Sequence, residues 1–77
     1  MQYDNVRMGQ ILRKLRGKRS VQIVADAVGI SPSAVRMYEA GERIPRDTVK
    51  LALAEYYQTS VASIFFSDEY TNRVSEE

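Results

Sequence analysis

The 77-residue sequence contains no cysteine and no histidine. Without cysteine, neither a disulfide nor a thiolate metal site can brace the chain. Without histidine, the commonest general base and the commonest metal ligand are both missing. The sequence also lacks a glycine-rich phosphate loop and paired acids at a useful spacing, which leaves little to run a catalytic cycle with. An enzyme is not expected, and no cofactor, metal or small-molecule substrate is implied. No apolar run approaches the roughly 20 residues needed to span a bilayer. The N-terminal MQYDNVR has no apolar stretch of the signal-peptide kind. These absences lead us to expect a soluble, cytoplasmic chain with no membrane contact.

What is present suits one small globular domain, with 44% hydrophobic and 27% charged residues. The net charge of +1 conceals an asymmetry. Residues 1–50 carry ten Lys/Arg against five Asp/Glu, whereas residues 51–77 carry one against five. Five of the positive charges fall within RKLRGKR, residues 13–19. That run reads either as a solvated helix end whose cations complement the dipole, or as a side that faces an anion.

Helical periodicity runs through most of the chain, and strand alternation is almost absent. Met8, Ile11, Leu12 and Leu15 share one helical face, which predicts a first helix from Asn5 to Arg16, stopped at Gly17. Val21, Val24, Ala25 and Val28 repeat the pattern, with Ser20 placed to cap the second helix and Gly29 to end it. Ser31 then caps a third helix with Pro32 at its first position, where a missing N–H costs nothing. Val35 and Tyr38 form its inward side, and Gly41 closes it. GERIPR reads as a turn, and Asp47 begins a fourth helix anchored by Leu53, with Val49, Ala54 and one of Tyr56 or Tyr57 beside it. Ser60 caps a short fifth helix carrying Val61, Ile64 and Phe65. The fold class is therefore all-α, five helices over residues 5–66, and the aperiodic acidic stretch 67–77 is expected to be a flexible tail.

One stretch narrows the function. In AVGISPSAVRMYEAG, residues 27–41, a glycine and a proline sit three positions apart between two helical patterns. Gly29 can take a left-handed backbone without a Cβ penalty, Ile30 turns inward, and Ser31 starts the next helix at once. A turn this short sets two helices at a steep angle, so the second projects from the surface. Small Ala25, Gly29 and apolar Val35, at those offsets, form a helix-turn-helix signature.

VADAVGISPSAVRMYEAGERIPR, followed by SVASIFF, resembles the Cro and phage-repressor type of helix-turn-helix domain, the Xre family. The resemblance covers about residues 8–66. It implies a five-helix, lambda-repressor-like DNA-binding domain, generally a homodimer on a two-fold symmetric operator, acting as a transcriptional regulator. Two departures stand out. Val21 occupies a position where the family usually has Gln, with Gln22 one place later, and the GKRS connection is about two residues shorter than the common form.

The physics of groove binding then assigns roles. The exposed early face of the third helix should enter the major groove, where every base pair shows its own donor and acceptor pattern. Ser33, Ala34, Arg36 and Met37 are the base-reading candidates. Arg36 can make a bidentate contact to guanine, although a phosphate contact or a salt bridge remains its plainer role. Ser33 can bond a base or a phosphate; Ala34 and Met37 could meet thymine methyls, or Met37 could pack partly into the core. Phosphate candidates are Gln22 and Ser31, Lys18 and Arg19 beside the start of the second helix, and, by the family's use of the following loop, Arg43 and Arg46. The resemblance also implies an ion pair between Glu39 and Arg16, with Arg13 the substitute partner and a plain surface glutamate the other reading. Phe66 and Tyr70 are left for a dimer contact, unless Phe66 folds back over its own core. The rival to a DNA-binding repressor is a protein-interaction module of the antitoxin or anti-repressor kind.

Overall fold

In the computed structural model, residues 5–66 are described and form five α-helices: α1 (Asn5–Arg16), α2 (Val21–Val28), α3 (Pro32–Glu39), α4 (Asp47–Tyr56) and α5 (Val61–Phe65). There is no strand among the described residues. Tyr70 and the acidic stretch 67–77 lie outside them.

Serines set three of the five helix starts. Ser20, Ser31 and Ser60 each adopt an extended backbone and accept, through the side-chain oxygen, the N–H of Ile23, Ala34 and Ser63 at 3.1, 3.0 and 3.1 Å. Each bond satisfies one N–H that has no partner inside its helix, worth about 1 kcal/mol. α4 begins differently. Arg46 precedes it without a side-chain cap, and Asp47 in its first turn complements the positive dipole end instead.

The apolar stripes meet in one core. Met8 and Leu12 of α1, Val24 and Ala25 of α2, Val35 of α3, Leu53 and Ala54 of α4, and Ile64 and Phe65 of α5 are all buried. α1 packs on α3 and α5, α2 on α3 and α4, and α4 on α5. Burying one such large side chain stabilises the fold by roughly 1.5–3 kcal/mol, so five short helices that would not persist alone hold together. Ile30 is half-buried against this core. Both Tyr56 and Tyr57 pack on it, where the sequence suggested only one, because α4 ends between them and lets both rings lie against neighbours. Pro45, read from the sequence as part of a turn, is buried.

Two backbone features carry no periodic signal. Gly9 is buried on the face of α1 that touches the end of α3. A Cβ there would collide with the carbonyl oxygen of Glu39 and lie 2.8 Å from its carbon and 3.0 Å from the Tyr38 oxygen. The two helices therefore meet backbone to backbone. At the end of α4, Gln58 takes a left-handed φ of 57°, and the Thr59 N–H donates to the Ala54 carbonyl at 2.9 Å. That bond closes the helix as a glycine would, at a strain that glycine would not carry.

Candidate nucleic-acid interface

The turn between α2 and α3 decides how α3 is presented. Gly29 has φ 84° and ψ 34°, and the N–H groups of Gly29 and Ile30 both donate to the Ala25 carbonyl, at 2.8 and 3.0 Å. Ser31 caps α3 two residues after Gly29, which leaves no slack between the helices. Val24 and Ala25, both at 0% exposure, lie against Val35 at the crossing. α3 consequently turns one face inward, through Val35 and Tyr38, and the other outward.

On the outward face Ser33 and Arg36 are exposed, while Ala34 and Met37 are half-buried. Ser31 is exposed, but its hydroxyl oxygen already accepts the Ala34 N–H. Lys18 and Arg19 are exposed between α1 and α2. Gln22, exposed on the first turn of α2, donates its amide to Asp26 Oδ1 at 2.9 Å. Arg43 and Arg46 are exposed in the α3–α4 connection. Among the described residues, no acid or carbonyl takes a hydrogen bond from the side chains of Arg36, Arg43 or Arg46. Their donors remain available to a partner outside the chain.

Behind this face the ends of α1 and α3 are tied together. Arg16 Nε donates to Glu39 Oε2 at 2.7 Å and Nη2 to Oε1 at 3.0 Å, a two-point pair with side chains 18% and 10% exposed. Arg16 Nη1 also donates to the Arg19 carbonyl at 2.8 Å, so one guanidinium reaches α3 and the α1–α2 connection at once. The hydrogen bond to Glu39, opposed in part by burial, raises the Arg16 pKa above its ordinary value. Arg13, by contrast, is exposed. Next to the pair, burial and then the Glu39 charge push the Tyr57 hydroxyl up to about 12. Arg19 lies over the rings of Tyr56 and Tyr57. Sequence reasoning did not connect Arg19 with these tyrosines; the available signal was two adjacent aromatics at a helix end.

A family model described as helix-turn-helix matches residues 12–64, most of the chain. The chain belongs to the Cro/phage-repressor type of helix-turn-helix protein. Comparison with curated proteins returns no match. As a helix-turn-helix protein of the lambda-repressor-like fold, the chain is a DNA-binding regulator, and its family is typically non-enzymatic. The matched span runs from Leu12 to Ile64, two residues of the buried core, and encloses the whole α2–α3 motif. Among the described residues no helix is long and apolar enough to cross a membrane.

Proposed function

We propose that this helix-turn-helix protein is a sequence-specific repressor that places α3 in the major groove of a two-fold symmetric operator. The observation that carries the reading is the set of exposed arginines with unspent donors around the α2–α3 motif. Arg36 stands on the outward face of α3, with Arg43 and Arg46 just beyond its end. Arg36 reads a guanine, Ser33 bonds a base or phosphate, and Ala34 and Met37 lie against thymine methyls. Arg43, Arg46, Lys18, Arg19, Gln22 and Ser31 meet the phosphates, which position the domain without reading sequence. Repression needs only occupancy of the site, whereas activation would also require a recruiting surface.

One recognition helix covers only a few base pairs, too few for a search among genomic sites. We propose a homodimer reading half-sites about one helical turn apart. Supporting this, a groove of about 250 Å³ lined by Asp47, Lys50, Leu51, Val61 and Phe66 lies along α4 and α5. Leu51 is 61% and Phe66 38% exposed, an apolar cost that a second copy would remove.

A protein-interaction module is the second reading, favoured by Ile23 and Ile44, which are 54% and 43% exposed next to Gln22 and Arg43. Paired substitutions separate the two. Arg36→Ala should lose roughly 1–3 kcal/mol at one operator position and relax preference there. Arg46→Ala should weaken all sequences alike and flatten the salt dependence. Uniform weakening by Arg36→Ala would remove its base-reading role, and a wild-type protein without duplex affinity would leave the protein-interaction reading.

A further inference from the structure

Arg19 is held by both its backbone and its side chain, an unusual state for an exposed arginine in a connection between helices. Its carbonyl accepts from Arg16 Nη1 at 2.8 Å, and its own N–H donates to the Arg16 carbonyl at 3.1 Å. Arg16 is in turn fixed by Glu39 at the end of α3. The Arg19 guanidinium carbon lies 5.3 Å from the centroid of the Tyr56 ring and 5.6 Å from that of Tyr57. Those rings are 5.1 Å apart and inclined by 58°, so the end of α4 offers a two-plane seat.

A guanidinium attracted to aromatic faces keeps its N–H donors at its edge, where they can still form hydrogen bonds. Among the described residues, nothing accepts a hydrogen bond from them. A surface arginine ordinarily surrenders rotamer freedom when it grips a phosphate; at Arg19 much of that freedom is already gone on folding.

We propose that Tyr56 and Tyr57 are positioning residues that hold Arg19 as a preformed clamp for one DNA backbone phosphate beside the start of α2. The proposal rests on the DNA-binding reading above and adds to it the two side chains that set the affinity of one contact. It differs from a purely structural staple, in which the stack would steady the α1–α2 connection and never meet DNA.

The test is affinity for a random-sequence duplex, measured by fluorescence anisotropy over a range of salt concentrations at a temperature where every variant is folded by circular dichroism. Arg19→Ala should weaken binding about tenfold and reduce the salt slope by about 0.9, the value for one phosphate contact. Replacing both tyrosines, Tyr56→Leu with Tyr57→Leu, should weaken binding about threefold to tenfold and leave the slope unchanged, because the charge remains. The Tyr56→Phe, Tyr57→Phe protein should bind like wild type. Arg19→Lys should behave like the double leucine variant, and it carries the test if that variant does not fold. Adding the leucines to Arg19→Ala should cost nothing further. If wild type binds and Arg19→Ala leaves the slope unchanged, Arg19 is a staple and the clamp is wrong. Additive losses would likewise remove the tyrosines from the contact. A wild type with no duplex affinity would overturn the DNA-binding reading itself.

Discussion

Replacing Gly9 with alanine sets two known effects against each other. Alanine is favoured over glycine inside a helix by about 1 kcal/mol, so in an isolated α1 the change would stabilise. In the folded domain the new methyl meets the backbone of Glu39 and Tyr38, with the Glu39 carbonyl carbon at 2.8 Å and its oxygen nearer still. No side-chain rotation can relieve a clash between two backbones, so the end of α3 must move outward by several tenths of an ångström or more. Forcing a methylene-sized group into packed structure typically costs about 1–3 kcal/mol, occasionally more. Here the shift also pulls Glu39 off Arg16, a pair held at 2.7 and 3.0 Å. Damage to a charged, part-buried hydrogen bond adds about 1–2 kcal/mol. The net expectation is a loss of about 2 kcal/mol or more, lowering the melting temperature by roughly 8–16 °C in a domain this small. Urea unfolding followed at 222 nm measures it, with Gly29→Ala as the control. At Gly29 a Cβ meets nothing within 4 Å, and only the left-handed backbone, φ 84°, is strained, so that variant should lose about 1 kcal/mol. If Gly9→Ala proves as stable as wild type or more so, the close approach of α1 and α3 is wrong.

Glu39→Ala should destabilise more than any other substitution of a single acid in residues 5–66, by about 1.5–3 kcal/mol, because it leaves the part-buried Arg16 guanidinium without its carboxylate partner. A melting temperature within a degree or two of wild type would show the pair contributes little. Gln58→Gly should stabilise by about 0.5–1 kcal/mol, since glycine relieves the left-handed strain there while adding some freedom to the unfolded chain; a lower urea midpoint would contradict this. The Tyr57 hydroxyl holds its proton more tightly folded, near 12, than its ordinary 10.0. Its contribution to stability is therefore intact below about pH 10 and fades as pH rises towards 12. Wild type should lose more stability than Tyr57→Phe across that interval, and parallel pH profiles would refute it.

The helices were legible because their signals are local. Serine caps, a glycine at the sharp turn and apolar positions three and four apart act within a few residues of where they appear, and the α2–α3 motif consists of little else. What the sequence concealed depends on contacts between distant segments. Gly9 looks like slack in α1 until the end of α3 is placed against it, and Gln58 gives no hint of its left-handed backbone because α4 could have ended a residue earlier. The candidate site divides in the same way. The outward positions of α3 followed from periodicity once Val35 and Tyr38 were placed inward. The Gln22–Asp26 hydrogen bond, by contrast, lies at ordinary helical spacing and competes for an amide that had seemed available to phosphate. The seat of Arg19 required knowing that the ends of α1, α3 and α4 converge.

The central question for this protein is whether the α2–α3 surface reads DNA sequence. Selection of bound sites from a random oligonucleotide pool, at a salt concentration that suppresses non-specific binding, tests that most directly. Sequence readout by α3 should enrich one two-fold symmetric sequence with half-sites about one helical turn apart, and Arg36→Ala should lose preference at a single guanine position. A pool that remains random while the folded protein is retained on no duplex at any salt concentration would contradict it.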